Sequence, residues 1–340
     1  MNRPVPAFIA PTLMAAVLSA CAPVVDATTG APGQAGADGT LFVAGKFANT
    51  LAKVDLATGA EIARVDSCAN PHELATSPDD RHVALACYGG TSLDIFRTSD
   101  LERVKSIDLG ANARPHGIVW HANGELYATA EGRQSVFRVP DPLGKAQAFE
   151  YGTGKQGSHM LAIAPGGDHA WTTDLGSRTV TRVDLKTRRA PLSVEVGEEP
   201  EGIALTPDGE TLWVSARGSD KAFALDPQTL DIRSEVAVGD FPLRIAIRPQ
   251  GDFAVTSDLA DGALTVIDLS TGQAVRQIPI SSREEAEARM QVTILWSPDG
   301  QRIYAAETGS ETVAEVDFDR GLVLRRLPGT GGGAGMAIIE

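Results

Sequence analysis

Residues 200–216, "PEGIALTPDGETLWVSA", set a short apolar segment, a Pro-Asp-Gly turn and a second apolar segment end to end. Proline and glycine fall where tight-turn chemistry favours them, and the flanking runs are the length of strands. Alone, the stretch is a β-hairpin. Laid against the rest of the chain, it is one of six related units. "LATSPDDRHVALAC" begins at Leu74, "IVWHANGELYATA" at Ile118 and "LAIAPGGDHAWTTD" at Leu161. "IALTPDGETLWVSA" follows at Ile203, "IAIRPQGDFAVTSD" at Ile245 and "ILWSPDGQRIYAAE" at Ile294. The turn proline or its equivalent falls at Pro78, Ala122, Pro165, Pro207, Pro249 and Pro298, giving spacings of 44, 43, 42, 42 and 49 residues. A period of roughly 40–45 residues built from short strands is that of a propeller blade.

Each unit reads as four strands: the apolar "GIAL" innermost, "TLWVSA" second, a third such as "LTVIDLSTG", and a fourth carrying "VEVGEEP" or "VAVGDFP". The ends of the chain complete the count. Residues 40–66 supply strands two to four of a unit that lacks its first, and the C-terminal "GGGAGMAIIE" supplies a lone first strand. Pairing them closes the ring and removes its open edges. The expected fold is all-β, a seven-bladed β-propeller of four-stranded blades with one blade shared by the two termini.

The units resemble those of the YVTN-repeat β-propeller family, whose blades carry "P-x-G-I-A-x-x-P-D-G-x-x-[LV]-[YW]-V-[TS]" and later "V-x-V-I-D-x-x-T". "PEGIALTPDGETLWVSA" and "LTVIDLSTGQ" carry the likeness, which spans about residues 40–340. The motif specifies the blade and says little about activity, because the fold hosts surface proteins, binding modules, lactonases, lyases and redox accessory proteins.

The first residues speak to compartment. "MNRPVPAFIAPTLMAAVLSAC" has Arg3 as a short basic region, an apolar stretch through Leu18 and small residues before Cys21. This is the pattern of a signal peptide, too short and proline-interrupted for a comfortable membrane span. The cysteine resembles that of a bacterial lipobox, which implies lipidation at Cys21, and Ala22 after it points to the periplasmic side of a Gram-negative outer membrane. The domain reading is therefore 1–20 signal peptide, 21–39 flexible Gly/Ala/Pro/Thr tether and 40–340 propeller. Net charge is −14, from 30 Lys+Arg against 44 Asp+Glu. Such a balance disfavours sequence-independent nucleic-acid binding, and leaves the lipid as the only expected membrane contact. A monomer is expected.

The repeat register sorts the 6 histidines. His82, His121 and His169 lie beside the bottom turns, where other units carry Gln301, Glu210 or Asp252, and read as turn residues. His72, His116 and His159 each stand six residues before the turn proline or its equivalent, at the head of the innermost strand on the top face. The same column continues with Glu201, Leu243 and Val292. Three consecutive blades thus place an imidazole at the mouth of the central funnel. Imidazoles suit transition metals, and three with an open position describe a catalytic zinc site. His72, His116 and His159 are therefore candidate metal ligands, with Glu201 as a carboxylate ligand or base. Divergence of the innermost strands from the axis argues against a shared ion, so a polar funnel for an organic or anionic ligand and a purely structural role stay open. The loop after the second strand adds a rim column of Lys46, Tyr88, Glu131, Leu175, Arg217, Asp258 and Thr308, preceded by Cys87, Asp174 and Glu307. Arg244, one residue into its strand, joins it. Glu131, Arg217 and Arg244 are counted with the histidines and Glu201 as ligand-binding candidates.

Cys68 and Cys87 both fall near the top of one blade, and in an exported protein the pair reads as a disulfide. The alternative is a thiolate–imidazole site with His72 and His116. The longest spacing holds an insertion, "SSREEAEARMQ", in which Ser281-x-x-Glu284 predicts a short capped helix on the top face.

Three functions fit. One is a lipid-anchored binding or scaffold module holding a protein or small molecule at the funnel, consistent with the absence of G-x-S-x-G, H-E-x-x-H, phosphate-loop and C-x-x-C-H motifs. Another is a funnel enzyme, since lactonase- and streptogramin-lyase-type propellers share the architecture and place histidines and acids at the channel mouth. It would use His116 or His159 as base with Glu201 or Glu131. The third is a redox or cofactor-binding accessory role for the three histidines.

Overall fold

The computed structural model describes residues 38–187 and 189–340. The signal peptide, Cys21 and the tether up to residue 37 lie outside the described residues. Seven four-stranded antiparallel sheets form the ring. Blades 1 to 6 span 71–108, 115–152, 158–195, 200–237, 242–279 and 291–328. Blade 7 pairs Gly333–Ile339 with Thr40–Gly45, then adds Thr50–Asp55 and Glu61–Asp66. The register Thr40↔Ile339 to Gly45↔Gly333 is the seam that closes the ring.

Side-chain alternation explains why blades stack. Along Thr40–Gly45, Leu41 and Val43 face blade 6, whereas Phe42 and Ala44 face blade 1, and all four are fully buried. A strand buried on both faces by period-2 alternation needs apolar residues on both, which the second strands carry over most of their length. One apolar cluster fills each of the seven blade–blade contacts, for example Trp171 with Leu212 and Val214 between blades 3 and 4. No helix among the described residues is long and apolar enough to cross a membrane.

Two recurring backbone devices shape the top of the channel. The residue before each innermost strand has a positive φ: Asn70 at 48°, Arg114 at 48°, Gly157 at 70°, Glu199 at 50°, Phe241 at 59°, Met290 at 48° and Gly332 at 82°. Then the ladder between first and second strands skips two residues, as between Pro71 and Leu74 or Pro242 and Ile245. Such an irregularity bends the strand and re-aims side chains. The skipped pairs are 72–73, 116–117, 159–160, 201–202, 243–244 and 292–293.

Second-strand hydroxyls satisfy the polar groups this exposes. Thr129 donates to the His159 carbonyl of the next blade (2.5 Å) and accepts from the Gly117 N–H (2.8 Å). Thr173 does the same for Glu201 and Met160, and Ser215 for Leu243 and Gly202. These are the [TS] positions of the repeat.

Two differences from the sequence expectations concern the top face and one the bottom. Asp258 ends the second strand rather than standing on the rim; it is fully buried, accepting from Thr256 and Thr265, and Leu259 takes the rim position. The insertion does form a helix, Arg283–Arg289, but Ser282 caps it by accepting from the Glu285 N–H. The cap thus falls one residue later than expected because Ser281 is still engaged at the end of blade 5. On the bottom, His82, His121 and His169 are turn-side residues, partly rather than freely exposed.

Burial raises Asp258 to a pKa of about 6, against hydrogen bonds from Thr265 and Thr256 that lower it. The folded value exceeds the unfolded 3.8, so the stabilising contribution is full below pH 3.8 and is lost as pH rises through 6. Two pH units correspond to about 3 kcal/mol. Asp258→Asn stays neutral, and its melting temperature should fall less than that of the wild type between pH 4 and 7. Parallel melting curves for the two proteins would contradict this origin.

Candidate functional site

The skipped residues of five consecutive blades meet at the top of the channel. His72, His116 and His159 are 8%, 1% and 8% exposed, and their rings stack in order: 4.1 Å between the first two centroids, 3.6 Å between the second two. The expected divergence of neighbouring strands is therefore overcome. Each imidazole comes from its bulge, and the His159 carbonyl is held by Thr129 of the neighbouring blade.

Arg244 crosses the channel from blade 5. It donates to Glu201 of blade 4 at 2.5 Å and to Glu73 of blade 1 at 2.8 Å. Its guanidinium is 5% exposed, as buried as its partners. Glu201 also accepts from Arg217 (2.5 Å), which reaches Glu199 as well (3.0 Å). Glu131 pairs with His159 Nδ1 at 2.5 Å and accepts from Tyr88 at 2.8 Å; Arg114 lies over the Tyr88 ring and donates to its hydroxyl. His159 Nε2 stands 3.5 Å from Glu201 Oε1 without a hydrogen bond. All seven ligand-binding candidates thus fall in one continuous cluster, with Lys46, Glu73 and Tyr88 beside them.

Glu73 escaped sequence reasoning because only the column six before the turn was followed. Its register partner Arg244 was the available signal: two opposite charges one residue into equivalent strands, where blades 2, 4 and 7 carry Gly117, Gly202 and Gly335. At Gly335 an added Cβ would lie 2.5 Å from the His72 carbonyl oxygen, so glycine there lets blade 7 approach blade 1.

Electrostatics divide the imidazoles. Burial opposes a charge on His159, but Glu131 and Glu201 outweigh it and raise its pKa. Burial likewise favours neutral Glu201, yet His159, Arg244 and Arg217 hold its pKa down to about 2. His72 is stripped of its proton, to about 2, by burial and then by Lys46 and Arg244. His116 is likewise held well below its ordinary value by burial and then by His159 and His72. Both ring nitrogens of His116, Nδ1 of His72 and Nε of Arg244 have no hydrogen-bond partner.

Donor atoms of two overlapping trios, His72–Glu73–His116 and His116–Glu131–His159, lie within 4.8 Å of one another. Tetrahedral zinc with bonds of about 2.0–2.1 Å needs donors about 3.4 Å apart, so the donor types suit an ion and their spacing would have to tighten to hold one, while Glu131 and His159 already satisfy each other. The disulfide Cys68–Cys87, with Cα atoms 5.6 Å apart, engages both sulfurs and leaves none for a thiolate–imidazole site.

Removing one partner of a buried ion pair leaves an uncompensated charge and costs roughly 3–5 kcal/mol. Arg244→Met should destabilise by about that much, since Glu73 loses its partner. The Glu73→Gln/Arg244→Met double variant should recover part of the loss in chemical denaturation. Arg244→Lys should rescue poorly, as a point charge cannot span both carboxylates.

The solved structures similar to this chain include a hydrazine synthase chain of Kuenenia stuttgartiensis (TM-score 0.70, 18% identity, 82% of this chain and 92% of that one). A protein of unknown function from Desulfotomaculum acetoxidans aligns with TM-score 0.74, 13% identity and coverage of 89% and 99%. A putative 6-phosphogluconolactonase of Bacteroides uniformis aligns with TM-score 0.69, 15% identity and coverage of 89% and 100%. At these identities the likeness is one of fold. No curated protein sequence matches significantly. A family model described as lactonase, 7-bladed beta-propeller, matches residues 53–277, and with the seven closed blades this places the chain in that family.

Proposed function

We propose that the protein is an exported, lipid-anchored propeller of the YVTN-repeat type that binds a small polar molecule at its top-face funnel. The observation that carries this is His116: 1% exposed, with neither ring nitrogen hydrogen-bonded, between two more imidazoles. Buried polar groups are ordinarily paired, and each one left unpaired costs about 1–3 kcal/mol. A ligand that pairs them recovers that cost on binding. Topology supports the anchored arrangement. Thr40 begins at the bottom of blade 7, opposite the funnel, so a lipid on Cys21 would hold the bottom toward the membrane and leave the funnel facing away.

Family membership favours a second reading, hydrolysis of a lactone. Water would add its oxygen to the carbonyl carbon and give a proton to neutral His116; the ring C–O bond would break and the leaving oxygen would take the His159 Nε2 proton. The two imidazoles would then exchange protons with solvent to reset. Efficient acid–base catalysis wants pKa values near the working pH. Here burial lowers the base, His116, well below its ordinary value and away from that optimum, so binding is placed first.

The test uses purified residues 22–340 with a panel of sugar lactones, sugars and small organic acids. At least one should raise the melting temperature of the wild type and not of His116→Leu or His116→Asn. Lactone opening above the spontaneous rate, lost in His159→Asn, would instead favour the enzyme. No shift with any compound would overturn the binding reading.

A further inference from the structure

The charges around the funnel do not cancel evenly. Glu73 and Glu201 share Arg244, Glu201 has Arg217 as well, and Glu131 has His159 and Tyr88. Every carboxylate facing the histidines is therefore compensated. Lys46 is not: among the described residues its side chain has no hydrogen bond or ion pair, although it is partly buried at the end of blade 7 beside His72. Next to it stand two neutral imidazoles, each with an N–H to give, and Arg244 Nε, also unpartnered. This wall carries donors and positive charge, and the Glu73 carboxylate within 4.8 Å of the imidazole nitrogens is engaged by Arg244.

We propose that Lys46, His72 and His116 form an oxyanion subsite, which seats the carboxylate or phosphoryl head of a small organic ligand. The inference rests on the funnel being a binding site and adds the sign and chemistry of what it takes. Geometry supplies the donors, with the His72 and His116 rings 4.1 Å apart and both His116 nitrogens and His72 Nδ1 unpartnered. Electrostatics supplies the sign. Lys46 faces these rings with no ion-pair partner among the described residues, and a lone cation there disfavours a metal ion and favours an anion. An anion placed there would pair Lys46 and occupy the free imidazole donors together, and charge-assisted bonds of this kind are about twice as strong as neutral ones.

The test is calorimetric titration of residues 22–340 in low-salt, phosphate-free buffer with inorganic phosphate, gluconate, neutral gluconolactone and zinc chloride as separate probes. Phosphate or gluconate should bind with one-to-one stoichiometry, and which of them binds identifies the head group. Lys46→Met should weaken that binding at least tenfold, Lys46→Arg should retain most of it, and His121→Ala on the bottom face should leave it unchanged. Circular dichroism and melting of each variant show whether it has folded. Equal anion binding by folded Lys46→Met would overturn the subsite, placing the anion elsewhere. Binding of neutral gluconolactone alone, lost in His116→Leu, would overturn the oxyanion inference while sustaining a ligand site. Stoichiometric zinc, lost in His116→Leu, would overturn it in favour of a metal centre. If none of the four binds, the inference fails.

Discussion

The constraint on which this molecule depends is the satisfaction of backbone polar groups where seven innermost strands converge. A regular ladder would pair those groups and point alternate side chains at neighbouring blades, leaving the top of the channel without functional groups. Instead each first strand breaks its ladder for two residues, and in blades 2, 3 and 4 a hydroxyl from the second strand takes over, as Thr129 does for Gly117 and His159. That hydroxyl bonds its own blade and the next at once. The device that repairs the bulge is therefore also a stitch between blades, and it fixes the backbone of residues whose side chains face the axis.

Because this scaffold is repeated, chemistry can be varied one blade at a time without disturbing the ring. Blades 1 to 3 supply imidazoles, blade 4 a carboxylate, and blade 5 an arginine long enough to reach blade 1. That last contact spans 171 positions of sequence and crosses the channel instead of following it. Arg244 is thus a mechanical tie as well as an electrostatic one. It neutralises Glu73 and Glu201, and Lys46 stands beside them without an ion-pair partner among the described residues.

Much of this was legible in the sequence, for definite reasons. The 42–49 residue period and the turn prolines disclosed the blades, and the unequal ends disclosed the seam, because both are written in spacing. The histidine column was legible for the same reason. Proximity was not. Divergence of adjacent strands argued that the imidazoles stand apart, whereas the positive-φ residue and the bulge turn them inward to 3.6 and 4.1 Å. Neither device has a one-letter signature: the positive-φ position is filled by Asn, Arg, Gly, Glu, Phe and Met in different blades. Asp258 was misplaced by one residue, and a one-residue slip along a strand moves a side chain from rim to interior. Glu73 was missed because a bulge brings two successive residues toward the axis, where strict alternation admits one.

Protonation was the least legible property of all, and it separates binding from catalysis here. Three histidines in equivalent positions look interchangeable as letters. Yet His159, gripped by Glu131 and Glu201, holds its proton, while His72 and His116, facing Lys46 and Arg244, give theirs up. The difference arises from which neighbour each blade presents across a few ångströms, including Arg244, which comes from the far side of the ring. Equivalent residues in a repeat acquire different chemistry through such asymmetric neighbours. The functional unit is accordingly the whole ring of contacts at the funnel mouth, and no single blade contains it.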